Sequence, residues 1–149
     1  MRKVNRKIAR SILKKHMDSG NPLAWFEDLY ARANDEPRII PWADLFKAPA
    51  QWQSKFDFVL ELYTLQVLPP ELRAEAARCI ASFLAPGAML LLIARAREPD
   101  EPRGQMPWPL TLDEIQVFET AGLKIIEFED FWDEEDPLVR RFRISYRHE

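Results

Sequence analysis

The stretch FDFVLELYTLQVLPPELRAEA, Phe56 to Ala76, decides how the rest of the chain is read. Its first ten residues, FDFVLELYTL, form a short apolar run rich in Phe, Val and Leu, the composition of a buried strand. A polar lip follows, with Glu61, Tyr63, Thr64 and Gln66 close to the strand's C-terminal end. Pro69 and Pro70 then open a helical pattern, PELRAEAARCIASFLA, in which proline occupies the start, where its missing N–H costs nothing. A strand turning straight into a helix is the unit of an α/β sheet.

Downstream the alternation continues. AMLLLIARA is apolar on both faces, as a central strand covered on two sides must be. Pro86 and Gly87 before it are read as the stop of the preceding helix. Thr111 caps a further helix, TLDEIQVFETAG, with Glu114 placed to complete a capping box and Gly122 to end it. LKIIEFEDFW and VRRFRISYRH then read as two strands joined by the charged turn DEEDP, hence an antiparallel hairpin. Arginines alternate with Val139, Phe142 or Ile144 and Tyr146, which predicts a half-exposed strand. The expected fold is α/β with about four strands, the pair at Phe56 and Ala88 parallel, preceded by two helices.

Those two helices lie upstream. Val4, Ile8, Ile12 and Leu13 recur at helical spacing, and Asn21-Pro22 opens a second helix, PLAWFEDLYARAN. Asp35 to Ser54 carries three prolines and two tryptophans without a period, and reads as an aromatic connecting segment. This divides the chain into an N-terminal part, 1–55, and a sheet-bearing part, 56–149, within one compact domain overall.

The 149 residues suffice for one core, and a composition of 47% hydrophobic and 30% charged residues is that of a globular chain. A net charge of −3 gives nucleic-acid binding little support. The exception is MRKVNRKIARSILKKH, with seven Lys or Arg in sixteen residues, which is either a solvated amphipathic helix or a contact for RNA or an anionic surface. The single cysteine, Cys79, points inward by periodicity and forms no internal disulfide. Without a membrane-length apolar run or a signal-peptide pattern, the expected location is cytoplasmic.

From Phe56 onward, the order strand, helix, strand, helix, strand, strand, carried by FDFVLELYTLQVL, IASFLAPGAMLLLIAR and GLKIIEF, resembles the second half of class I S-adenosylmethionine-dependent methyltransferases. The resemblance covers about two-thirds of the chain, and PLAWFEDLYARAN with IIPWADL resembles the lead-in of some members. It implies a Rossmann-like three-layer sandwich, S-adenosylmethionine as cofactor and methyl transfer to a small molecule. Against that pattern the cofactor loop is missing. The family holds the cofactor on a glycine-rich turn because only glycine lets the backbone come so close. The four glycines here, Gly20, Gly87, Gly104 and Gly122, include no G-x-G, and no acidic residue is placed for the ribose hydroxyls. The expectation is a shortened relative whose lead-in joins almost directly to the strand at Phe56. That strand is then an apolar edge, which predicts a homodimer or poor solubility.

Candidate site residues follow from this layout. Glu61 and Tyr63 sit where open α/β sheets place ligands, and in a methyltransferase they would orient the nucleophile or take its proton. The plainer alternative pairs Glu61 with an arginine. The loop REPDEPRGQMPWPL, with Arg97, Met106 and Trp108, is stiff and aromatic and suits a substrate cover, or else a connection that Trp108 plugs into the core edge. Trp25, Trp42 and Trp52 line a pocket for a planar ligand or fill the core. His16 and His148 lack companions at ligand spacing, so no metal is expected. The non-catalytic alternative is a binding or regulatory relative.

Overall fold

The computed structural model describes residues 43–135 and 137–149. The expected helices near Val4 and Leu23, with Trp25 and Trp42, lie outside the described residues. Two 3-10 turns, Leu45–Lys47 and Ala50–Trp52, lead into strand β1, Phe56–Leu62. A one-turn helix α1, Thr64–Val67, and helix α2, Pro70–Ser82, connect it to β2, Leu84–Arg95. After the loop come the short helices α3, Leu112–Ile115, and α4, Val117–Thr120, then β3, Leu123–Asp133, and β4, Val139–His148.

The sheet order is β1-β2-β4-β3. β1 runs parallel to β2, as the helical crossover requires, and β4 is antiparallel to both its neighbours. Directly paired residues share a face, so the register sorts the side chains. Val59 and Glu61 of β1, Leu90 and Leu92 of β2, and Ile144 and Tyr146 of β4 all look towards the helices. There they meet Ala76, Ala77 and Ile80 of α2, Ile115 of α3 and Phe118 of α4 in one buried cluster. Phe118 stacks tilted on Tyr146 at 5.4 Å between ring centroids, and the Tyr146 hydroxyl donates to the Ile115 carbonyl at 3.3 Å.

The chain enters this core through a second aromatic group. Trp52, Phe56 and Phe83 meet edge to face, with centroids 6.0 to 6.4 Å apart, where the connecting segment crosses the start of the sheet. Backbone bonds from Ser54 to Ser82 and from Phe56 to Phe83 fix that crossing at 2.8 and 3.0 Å.

Four sequence expectations are corrected. β1 stops at Leu62 and not at Leu65, because Tyr63 adopts a left-handed backbone (φ 66°) that turns the chain into α1. α2 ends at Ser82, before Pro86 and Gly87, which instead lie inside β2. Between Phe56↔Leu84 and Phe58↔Met89, β2 spends five residues against two of β1, and Gly87 (φ 74°) supplies the conformation this irregularity needs. The TLDEIQVFETAG helix divides at Gln116 into α3 and α4. Finally, β4 is an inner strand and not a half-exposed one, with Arg141 buried, because the hairpin docks β4 rather than β3 onto β2. Cys79 is half-buried.

Other expectations hold in detail. Thr111 and Glu114 form the capping box, Gly122 (φ 91°) turns the chain after α4, and β3 and β4 pair from Leu123↔His148 to Asp133↔Val139. Among the described residues no helix is long and apolar enough to cross a membrane.

Phe118→Ala empties the centre of this core and is expected to cost ~3–5 kcal/mol in chemical denaturation. Trp132, 63% exposed, serves as the contrast, and its replacement by alanine is expected to change stability by less than ~0.5 kcal/mol. Equal effects at the two positions would refute this placement of the core.

Candidate functional site

The lip after β1 is built by hydrogen bonds that the sequence concealed. Glu61 points to the helix side of the sheet, is 2% exposed, and accepts the Leu65 N–H on Oε1 at 2.9 Å, closing the α1 turn from below. Its other oxygen has no hydrogen-bond partner among the described residues. Burial raises its pKa to about 7, against the pull of the Leu65 and Thr64 donors. No arginine pairs with it among the described residues. Tyr63, two residues on, is turned by its left-handed backbone to line a cavity instead.

Gln66 is fully buried, not an exposed member of the lip. Its side-chain oxygen accepts the Arg95 N–H at 3.0 Å, its Nε2 donates to the Trp108 carbonyl at 3.0 Å, and its own carbonyl takes the Trp108 N–H at 2.8 Å. One residue thus ties the lip, the end of β2 and the loop 96–110 together. Trp108 itself is half-buried, Met106 is exposed, and Trp52 serves the aromatic group at the start of the sheet.

Arg97 lies at the start of the same loop, just after β2. Its guanidinium donates to the carbonyls of Pro109, Glu98 and Glu101 at 3.1 to 3.2 Å, and to Glu114 at 3.1 Å, so it braces its own loop. Glu114 also takes the Thr111 N–H at 2.9 Å and Arg73 at 2.7 Å. Arg73 is 2% exposed and holds α2 to the Leu68 carbonyl at 3.1 Å. Although burial opposes it, these donors keep the Glu114 carboxyl below its ordinary range.

The cavity, of about 380 Å³, opens at the C-terminal ends of β1 and β2. Tyr63 and Arg95 come from those strand ends and Pro107 from the loop. Glu135, Pro137, Val139 and Arg141 close it from the β3–β4 hairpin. Arg141 donates to the Tyr63 hydroxyl at 2.9 Å and to Asp133 at 2.9 Å, pairs with Glu135, and lies over the Tyr63 ring at 5.9 Å. Burial works against its charge, yet the bonds to Tyr63, Glu135 and Asp133 prevail and raise its pKa. Of these lining residues sequence reasoning named Tyr63, and named neither Arg95, at the end of an apolar strand, nor Arg141, whose strand of alternating arginines looks like a solvated face. The cavity does not include Glu61, Arg97, Met106 or Trp108 among its lining residues.

A Cβ added at Gly87, Gly104 or Gly122 would meet no protein atom within 4 Å, and all three have positive φ (74°, 67° and 91°). Among the described residues no group of His, Cys, Asp or Glu could hold a metal ion, and His148 Nδ1 lies 3.1 Å from the Leu84 carbonyl.

Parallel β1 and β2, a helical crossover and a terminal antiparallel hairpin inserted as β2-β4-β3 give this chain the class I S-adenosylmethionine-dependent methyltransferase fold, in part. In sequence it is 31% identical over 139 residues to thiopurine S-methyltransferase of Vibrio vulnificus strain YJ016, covering 91% of this chain and 60% of that protein. It is 34% identical over 103 residues to the thiopurine S-methyltransferase of Vibrio campbellii strain ATCC BAA-1116, covering 68% of this chain and 45% of that one. It thus spans less than two-thirds of either relative. In structure it matches the 1,6-didemethyltoxoflavin-N1-methyltransferase of Burkholderia thailandensis, solved with 1,6-didemethyltoxoflavin and S-adenosylhomocysteine bound, with a TM-score of 0.60 at 11% identity over 71% of this chain and 48% of that one. No family model matches the chain.

Two predictions follow from the polar network. Glu61 is more easily protonated folded than unfolded, so its contribution to stability is full below pH ~4.5 and is lost as pH rises to about 7. Unfolding free energies of the wild type from urea titrations are expected to fall across that window, by up to ~3 kcal/mol, and those of Glu61→Gln to stay flat. The lowered carboxyls of Glu114 and Asp130 act at lower pH than this window. Glu114→Gln, which strands the buried Arg73, is expected to lose ~3 kcal/mol or more in the same assay, and a loss under ~1 kcal/mol would show that the loop is anchored elsewhere.

Proposed function

We propose that this chain is an S-adenosylmethionine-dependent methyltransferase-like protein that has the acceptor end of the site and lacks a complete cofactor site of its own. The observation carrying this reading is the cavity of about 380 Å³ at the C-terminal ends of β1 and β2, the place where open α/β sheets bind ligands. Its volume falls in the range of small-molecule sites. The sequence likeness to thiopurine methyltransferases gives the activity: transfer of a methyl group to a small molecule. The absence of G-x-G from the sequence gives the limit.

In this reading Tyr63 and the hairpin hold the acceptor in place, and orientation is a large part of what a protein contributes to such a transfer. Glu61 acts from beneath, by fixing the turn that aims Tyr63. A second copy of the chain, pairing along β1, the edge of the described sheet, is the proposed partner, and the cytoplasm the proposed location. The basic run in residues 1–17 favours a second, non-catalytic reading in which the chain contacts RNA or an anionic surface. Salt-sensitive binding abolished by removing those residues would be its mark.

Calorimetric titration of the folded chain with S-adenosylmethionine and S-adenosylhomocysteine tests the main reading. No saturable micromolar binding is expected from the chain alone, and such binding would overturn the incomplete-site part of the proposal. Sedimentation over a range of concentrations should show a dimer, and a monomer throughout would remove the β1 pairing.

A further inference from the structure

Arg95 and Arg141 stand directly opposite one another on β2 and β4, on the same face of the sheet, and both line the cavity. Like charges placed across a ladder repel, and proteins ordinarily relieve such a pair with carboxylates. Here the relief is one-sided. Asp133 and Glu135 both bind the Arg141 guanidinium, and the Tyr63 hydroxyl takes a third of its donors. Arg95 has its backbone N–H held by Gln66, but its guanidinium has no hydrogen bond or ion pair among the described residues. A half-buried cation next to a second cation, in a concave site with apolar walls at Pro107, Pro137 and Val139, costs free energy until an anion reaches it.

We propose that Arg95 is the specificity residue of this cavity and that the ligand is a small, flat molecule carrying one carboxylate, bound bidentately by the Arg95 guanidinium. Guanidinium is the group of choice for this recognition, because its planar fork matches a carboxylate and its charge does not titrate away. The Tyr63 hydroxyl oxygen already accepts from Arg141, so its own O–H remains to donate to a polar atom of the ligand. The Tyr63 ring, Pro107, Pro137 and Val139 supply apolar lining for the ligand's body. Backbone placement supports the assignment: Gln66, itself bonded to Trp108, fixes the end of β2 from which Arg95 projects, so the backbone that carries the cation is in place before a ligand arrives.

This proposal rests on the reading of the cavity as the acceptor end of a methyltransferase-like site, and names the class of acceptor. Its test needs no cofactor. Amide chemical shifts of the full chain are followed on titration with 2-naphthoate and with its neutral counterpart 2-naphthamide, for wild type, Arg95→Gln and Arg95→Lys. The expected result is saturable binding of naphthoate, about ten-fold tighter than naphthamide in the wild type, with shifts at Tyr63 and Val139. Arg95→Gln should remove that preference, so that naphthoate binds no more tightly than naphthamide, and Arg95→Lys should restore part of it. Equal affinities for the two probes, no naphthoate binding, or a preference that survives in Arg95→Gln would overturn the assignment. An unfolded Arg95→Gln spectrum leaves the wild-type comparison of the two probes to decide. Arg95-dependent naphthoate binding by a chain that also fails to dimerise, or that binds S-adenosylhomocysteine, would count against the preceding reading and not against this one.

Discussion

The site depends on one buried amide. Gln66 is excluded from water, yet both ends of its side chain and its own carbonyl are satisfied, by Arg95, Trp108 and Trp108 again. An amide buried in this way is costly unless every bond is made, so it imposes one arrangement on everything it touches. What it touches are three of the four pieces that form the cavity: the lip after β1, the end of β2 and the loop returning towards α3, the β3–β4 hairpin being the fourth. Glu61 completes the constraint from below by capping the turn on which Gln66 rides, and the Glu114 cluster completes it from the far end of the loop. The cavity is thus bordered by backbone that is held on several sides, as a binding site on a loop must be if it is not to collapse.

Two charge networks of different kind flank this arrangement. On the helix side, Glu114 gathers Arg73 and Arg97 where burial is deep and geometry is rigid. On the opposite face, β3 and β4 carry a ladder in which Glu129 meets Arg143 and Asp133 meets Arg141, with Arg143 also over the Phe131 ring at 5.4 Å. The first network is structural and serves the loop. The second reaches into the cavity through Arg141, and in doing so uses up the acids that Arg95 would otherwise share.

Much of the fold was legible because its signals are local. Proline at the start of α2, the Thr111–Glu114 box, glycine after α4 and an acidic turn between two β-rich runs each act over a few residues. What escaped was decided by distant neighbours. Tyr63 is not glycine, so nothing in its identity announces a left-handed turn. Leu84 to Gly87 reads as a helix stop, and only pairing with Phe56 makes it part of a strand. The arginines of β4 alternate as a surface strand does, and their burial depends on which member of the hairpin reaches β2. For the same reason Tyr63 was accessible as a site residue by its place at a strand end, while Arg95 and Arg141 needed the sheet order before they could be seen to converge.

The position of β4 has a consequence for how the molecule is made. It follows every other described strand in the chain but lies inside the sheet, between β2 and β3. During synthesis β2 can pair with β1 as soon as both have emerged, and it then waits with its other edge open until Val139 to His148 leave the ribosome. Through that interval the most apolar of the described strands offers unpaired backbone to any passing neighbour. The charged rungs between β3 and β4 shorten the wait, since a hairpin closed by five intervening residues forms quickly and delivers β4 to β2 already in register.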